Sequence, residues 1–207
     1  MAQRPVVFIV DDDPDIRESL RWLVESVALP VETYASAQEF FDAQKSDPPG
    51  CLVVDVRMPG MSGLEMLESI RARGWAIPCV VVTAHGDVPT AVRAMTDGAV
   101  DVLEKPYNGQ VPLDRVHQCL AHDAERREAD SRHAKVRARY DSLSPREREV
   151  MALVVAGKSN KMVAREMNIM PKTVEVHRKN VMMKMRAESL AELVQVAVVF
   201  GLQENDA

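Results

Sequence analysis

Short apolar runs and longer amphipathic stretches alternate along the front of the chain. Residues 6–10, 31–34, 51–55, 78–83 and 99–103 are apolar runs too short for helices, and each reads as a buried strand. Between them the apolar positions recur at helical spacing. Ile16, Leu20, Leu23, Val24 and Val27 share one face behind Pro14, which suits a first helical position. Ser36 and Glu39 predict a capping box ahead of Phe40 and Phe41. Leu64, Leu67 and Ile70 mark a third helix, and residues 88–97 a fourth, stopped by Gly98. Leu113, Val116 and Leu120 mark a fifth that begins near Pro112. Five strand–helix repeats predict an α/β fold, a doubly wound parallel (βα)5 sheet with helices on both faces.

The rear of the chain reads as all-α. Ser144, Pro145 and Glu147 open a helix that turns Val150, Leu153 and Val154 inward and ends at Gly157. Residues 160–167 form a short helix with Val163, Ala164 and Met167 inward. A tight turn over 168–170 leads to a helix over 171–185, packed through Val174, Val181 and Met185. Ser189 and Glu192 box a fourth helix, with Leu190, Leu193, Val194, Ala197 and Val198 as its apolar positions. A short helix, a brief turn and a longer helix make helix-turn-helix geometry; a generic bundle is the competing reading of the periodicity alone. Lys172, Thr173, Glu175, Val176, Arg178, Lys179 and Asn180 point outward on the longer helix. Its lysines and arginine suit phosphates, and Asn and Val suit base edges and thymine methyls.

Charge divides the chain. Residues 1–122 carry 10 Lys+Arg against 18 Asp+Glu, residues 123–142 carry 6 against 5, and residues 143–207 carry 10 against 8. An acidic front domain over 1–122, a linker over 123–142 and a mildly basic rear domain over 143–207 follow. The linker is charge and alanine without Gly or Pro, so it reads as an exposed helix with i,i+4 ion pairs. A solvated spacer is the first reading, a semi-rigid lever or dimer-contacting helix the second. Cys51, Cys79 and Cys119 are odd in number, far apart and among apolar neighbours, which points to buried thiols in a reducing cytosol. No apolar run approaches the ~20 residues of a membrane span, and the chain opens on a strand pattern rather than a signal peptide. A cytoplasmic protein with no membrane partner is expected.

Five parallel strands bring their following residues to one rim, here Asp11, Asp12, Asp55, Thr83 and Lys105. Clustered carboxylates repel unless a divalent cation joins them, and a few oxygen ligands with room for water and phosphate suit Mg²⁺. A carboxylate beside Mg²⁺ is placed to attack phosphorus, with a lysine and a hydroxyl completing the cradle. Val10-Asp11-Asp12, Asp55 followed by Met58-Pro59-Gly60, Thr83-Ala84 and Lys105-Pro106 resemble a response-regulator receiver domain over 1–122, and residues 83–89 resemble the FixJ subfamily. The resemblance implies that Asp55 accepts a phosphoryl group from a sensor histidine kinase. It implies that Asp12, Asp55 and the carbonyl of Arg57 bind Mg²⁺ (Mn²⁺ is the substitute), with Asp11 supporting through water. Thr83 and Lys105 would engage the phosphoryl oxygens. Asp13 reads as a solvated acid in the first helical turn, and His85 as incidental. Receivers place an aromatic three positions before the lysine. Val102 stands there, so the usual Thr–aromatic relay lacks its ring. Helix 88–97 and strand 99–103 form the surface on which such receivers dimerise.

In the rear, Leu143-Ser-Pro-Arg-Glu-Arg-Glu-Val150, Gly157-Lys-Ser-Asn-Lys-Met-Val-Ala164, Lys172-Thr-Val-Glu-Val-His177 and Lys184-Met185 resemble the LuxR/NarL-type DNA-binding domain over about 140–201. The resemblance implies that Glu175, Val176 and Lys179 face DNA and that the last helix supplies a dimer contact. Met170 replaces the usual Ser cap at ~1 kcal/mol, and Glu175 stands where relatives carry a base. The expectation is a non-enzymatic, DNA-binding response regulator. Phosphorylated, it dimerises, binds promoter DNA and activates transcription with RNA polymerase. The rivals are a phosphorylation-independent regulator and a Mg²⁺-dependent aspartyl-phosphate phosphatase; the haloacid-dehalogenase type of the latter wants Asp where Arg57 stands.

Overall fold

The computed structural model describes residues 4–84 and 88–201, so His85 and its two successors in the FixJ-like segment lie outside the described residues. The chain divides into two compact units between Arg127 and Glu128. In the first, β1 (Val6–Val10), α1 (Pro14–Glu25), β2 (Val31–Tyr34), α2 (Ala37–Ala43), β3 (Gly50–Asp55), α3 (Gly63–Ala72), β4 (Cys79–Thr83), α4 (Val88–Thr96), β5 (Asp101–Glu104) and the start of α5 (Gln110–Asp141) alternate as predicted. The sheet order is β2-β1-β3-β4-β5, and every pair is parallel.

Strand alternation builds two cores. Val7, Ile9, Cys51, Val53, Val80 and Val82 pack against Leu20 and Val24 of α1 and Val116 and Cys119 of α5. Phe8, Val10, Leu52, Val54 and Val81 face the other way, onto Phe40, Phe41, Leu64, Leu67 and Ile70. Because helices cover both faces, β3 and β4 are buried along their whole length, which is why their sequences are continuous apolar runs. The three cysteines are buried free thiols, and burial pushes the Cys79 thiol up, as for an inert core group.

Several local details depart from the sequence pattern. The β5 strand begins at Asp101 rather than 99, because the Ala99 N–H closes the end of α4 on the Ala94 carbonyl. Pro78 lends β4 only its carbonyl, to the Leu52 N–H, since it has no donor of its own. Asp13 is the N-cap of α1, accepting from the N–H groups of Asp15 and Ile16, rather than an acid inside the first turn. Val27 lies past the end of α1 and is exposed. Glu39 reaches the Ala35 N–H instead of Ser36, and Glu192 the Glu188 N–H instead of Ser189, so neither closes a full capping box. Ser62–Glu65 and Ser144–Glu147 do close one. The α5 helix starts at Gln110, whose N–H is held by the Asn108 side chain, and Pro112 sits where its missing donor costs nothing.

The second unit comprises the end of α5 with α6 (Pro145–Val155), α7 (Asn160–Glu166), α8 (Pro171–Met185) and α9 (Leu190–Val199). Val150, Met151, Val154, Val163, Val174, Val181, Met185 and Leu193 form its core, joined by Val136 of α5. His133 of α5 meets the Phe200 ring edge-on at 4.4 Å between centroids. Only Leu193 and Ala197 of the apolar positions on α9 are buried; Val198 is 59% exposed and Leu190 is also on the surface. Residues 123–141 are part of one unbroken helix, as their composition predicts. Among the described residues no helix is long and apolar enough to cross a membrane.

Candidate functional site

The strand order reverses direction at β1, which lies between β2 and β3, and Val10 pairs with Val54. The residues that follow this pair, Asp11 and Asp55, therefore meet at the carboxyl edge of the sheet, where open α/β folds place ligands. Asp11 is 2% exposed and Asp55 7%. Lys105, just past β5, donates to both: its Nζ lies 2.9 Å from Asp11 Oδ2 and 2.7 Å from Asp55 Oδ1. The Arg57 N–H donates to Asp55 Oδ2 at 2.6 Å, and the Asp13 N–H to Asp11 Oδ1 at 2.9 Å. Asp12 is exposed beside them, and Thr83 is buried at the end of β4. The Thr83 carbonyl accepts the Lys105 N–H at 2.7 Å, which ties the hydroxyl-bearing residue to the lysine through the backbone. The Lys105–Pro106 peptide is cis.

Burial pushes the Asp11 carboxyl up, against the opposing pull of Lys105. Burial also works against the Lys105 ammonium, but the hydrogen bonds to Asp55 and Asp11 outweigh it and hold its pKa above the ordinary lysine value. One ammonium neutralises one of two buried carboxylates and leaves the pocket acidic. Carboxylate oxygens are hard donors, few in number here, and fit Mg²⁺, which keeps much of its water. Among the described residues no three His, Cys, Asp or Glu side chains gather around one metal position.

Sequence reasoning missed three supports of this pocket. The Arg17 guanidinium donates to the Asp11 carbonyl at 2.7 Å. Tyr107 is half-buried beside Lys105, and burial raises its phenol. Gly63 opens α3 directly on the backbone of Asp55, where a Cβ would stand 2.2 Å from the Asp55 carbonyl oxygen. Its N–H also closes the loop onto the Val56 carbonyl at 3.0 Å. The glycine itself is visible in the sequence; its contact is not. Val102, paired with Val81, is half-buried against the core, the place where a ring was expected.

In the second unit Lys172, Thr173, Glu175, Val176 and Lys179 of α8 are exposed. Arg178 and Asn180 are half-buried, and the Arg178 guanidinium donates to the Asn160 side chain of α7 at 3.0 Å. That bond joins the two helices of the helix-turn-helix. Lys172 stands 3.9 Å from Glu175 on the exposed face of α8. Met170 caps α8 without a side-chain hydrogen bond and is 70% exposed.

Comparison with known proteins places both units in known families. Residues 7–117 match the response regulator receiver domain, and residues 141–197 match the bacterial regulatory proteins of the luxR family. The chain is 46% identical to the transcriptional regulatory protein FixJ of Azorhizobium caulinodans over 206 residues, covering 100% of this chain and 98% of the relative. The solved structure of the response regulator StyR superposes with a TM-score of 0.91 at 44% identity, covering 95% of this chain and 100% of that one. Full-length FixJ from B. japonicum matches with a TM-score of 0.59 at 41% identity, covering 98% and 100%. The chain belongs to the FixJ-type response regulators, two-component transcriptional regulators that join a receiver domain to a LuxR-family helix-turn-helix domain.

Proposed function

We propose that Asp55 is the phosphoacceptor and that its phosphorylation by a sensor histidine kinase raises the affinity of the rear unit for promoter DNA. The observation that carries this reading is Lys105 held between Asp11 and Asp55 at the sheet edge. An Asp55 carboxylate oxygen attacks the phosphorus of the donor phosphohistidine, the N–P bond breaks, and an acyl phosphate forms on Asp55. Lys105, freed from its present ion pair with Asp55, and the Thr83 hydroxyl take the new phosphoryl oxygens. Asp12, Asp55 and the Arg57 carbonyl, supported by Asp11, would hold Mg²⁺ or Mn²⁺, which when bound would screen the repulsion between the two anions.

Relocation of Lys105 and Thr83 alters β4 and β5, and with them the α4–β5 surface. Val88, Val92 and Met95 are exposed on α4 there, apolar positions suited to a homodimer contact. In the rear unit Lys172 and Lys179 take phosphates, while Val176 meets a thymine methyl and Glu175 a cytosine amino group. The protein is a cytoplasmic regulator without enzymatic turnover that recruits RNA polymerase to its promoters. The test is acid-labile phosphate on wild type and on Asp55→Asn in the presence of Mg²⁺, with DNA affinity measured alongside. Incorporation lost in the variant, together with loss of the gain in affinity, supports the reading. DNA affinity indifferent to phosphorylation overturns it in favour of a phosphorylation-independent regulator.

A further inference from the structure

A buried charged cluster lies at the opposite edge of the sheet from Asp55. Asp123 of α5 is 2% exposed, and its carboxylate accepts from Arg126 at 2.6 Å, from Arg127 at 2.8 Å and from the Gly50 N–H at 2.9 Å. Both arginines also reach Asp47 at 3.0 Å, and Arg127 donates to the Pro48 carbonyl at 2.8 Å. Gly50 is the first residue of β3, the strand that ends in Asp55. Its φ is +146°, and a Cβ there would stand 1.9 Å from the Val6 carbonyl oxygen, so only glycine lets this amide lie between β1 and Asp123.

The linker over 123–142 reads in sequence as a solvated spacer; at its start Asp123 is buried and Arg126 and Arg127 are partly buried, while Ala124 and Glu125 are exposed. A buried ion-pair cluster adds little stability over an apolar contact of the same size, because desolvation offsets the attraction. What several directional hydrogen bonds add is a fixed geometry. Here they fasten α5, up to and including Arg127 at the end of the first compact unit, to the loop before β3. Beyond that point the same helix runs on without a break to Asp141.

We propose that Asp123, Arg126 and Arg127, gathered on Gly50 and Asp47, form a coupling clamp that makes α5 rigid with the receiver through residue 127 and so transmits the state of Asp55 along the helix. The inference rests on the phosphorylation switch proposed above. The clamp does not touch the phosphoryl group. It positions the helix that carries the signal, so its loss leaves phosphorylation intact and uncouples it from DNA binding.

The experiment uses the full chain, acetyl phosphate with Mg²⁺ as donor, and a DNA duplex selected from a random pool by the phosphorylated wild type. Asp123→Asn and Arg126→Ala/Arg127→Ala are compared with wild type for Asp55 phosphorylation, thermal unfolding and DNA Kd with and without phosphoryl transfer. The expected result is phosphorylation at the wild-type level with the phosphorylation-induced gain in DNA affinity reduced at least about fivefold. A wild-type gain in a folded variant overturns the clamp, even if the variant melts earlier, since a purely structural cluster lowers stability alone. Should Asp123→Asn fail to fold, the arginine variant, whose side chains are partly exposed, decides. A wild type that itself shows no gain overturns the proposed switch, a different outcome from failure of the clamp.

Discussion

The Glu147 carboxylate of α6 holds the Lys184 ammonium of α8 at 2.6 Å while accepting the Ser144 N–H as a capping residue. Lys184 also donates to the Ser142 carbonyl at 3.2 Å. One carboxylate thus starts α6 and fixes the last turn of α8. The Lys184 hydrogen bond, then the Ser144 N–H, hold the Glu147 carboxyl at about 2, against an ordinary 4.5. A depressed folded-state pKa contributes stability that is present above the unfolded value and lost as pH falls through the folded one. Glu147→Gln is therefore expected to weaken the rear unit by about 2 kcal/mol at neutral pH. The deficit relative to wild type shrinks as pH falls from 4.5 toward 2. Urea unfolding at a series of pH values checks both; a deficit independent of pH contradicts the ion-pair assignment.

Removing Lys105 leaves Asp11 and Asp55 facing each other without a counterion. Lys105→Ala is expected to destabilise the receiver by about 3 kcal/mol in the absence of divalent cation. Added Mg²⁺ should then recover more stability than it does in wild type, because the cation takes over the whole neutralisation. Thermal unfolding with chelator and with Mg²⁺ measures the difference. Equal Mg²⁺ stabilisation in both proteins would mean that the metal does not share this pocket.

Met170 leaves the N-terminus of α8 without a side-chain acceptor. Met170→Ser should supply one and stabilise the rear unit by about 1 kcal/mol. Denaturant unfolding reads this directly. An unchanged midpoint would show that the first turn of α8 is already satisfied by its backbone.

On the proposed DNA-binding reading, exposed Lys179 and Val176 and half-buried Arg178 of α8 have different roles. Lys179→Ala should weaken binding to all sequences alike and lower the slope of log K against log salt by about 1. Val176→Ala should cost about 1 kcal/mol on a preferred site and lose most of its effect when the contacted thymine is replaced by uracil. Arg178→Ala is expected to loosen α7 on α8 through Asn160, and so to lower stability along with affinity. Salt titrations of DNA binding and unfolding curves separate the three.

Much of the first unit was legible because each strand announces itself as a short apolar run and each helix as a spaced one. The details that slipped were those a neighbour decides. The β5 strand lost residues 99 and 100 to the closing turn of α4 and to a single bond to Cys79. Val198 and Leu190 fit an apolar helical face, but on that helix the core of the second unit fully buries Leu193 and Ala197 and takes Val196 in part. Arg178 was outward by periodicity, yet it turns to Asn160 because α7 lies beside it.

From the chain alone came the alternation of elements, the four-helix rear and the gathering of Asp11, Asp55, Thr83 and Lys105 at one rim, since these depend on local period and on all strands running one way. Tertiary structure decided that Lys105 spans both carboxylates, that Gly63 lies on the Asp55 carbonyl, and that Asp123 is buried on Gly50 instead of solvated. Those contacts join residues distant in sequence, and a local pattern records only whether a side chain prefers water or core, not which partner the fold will bring to it.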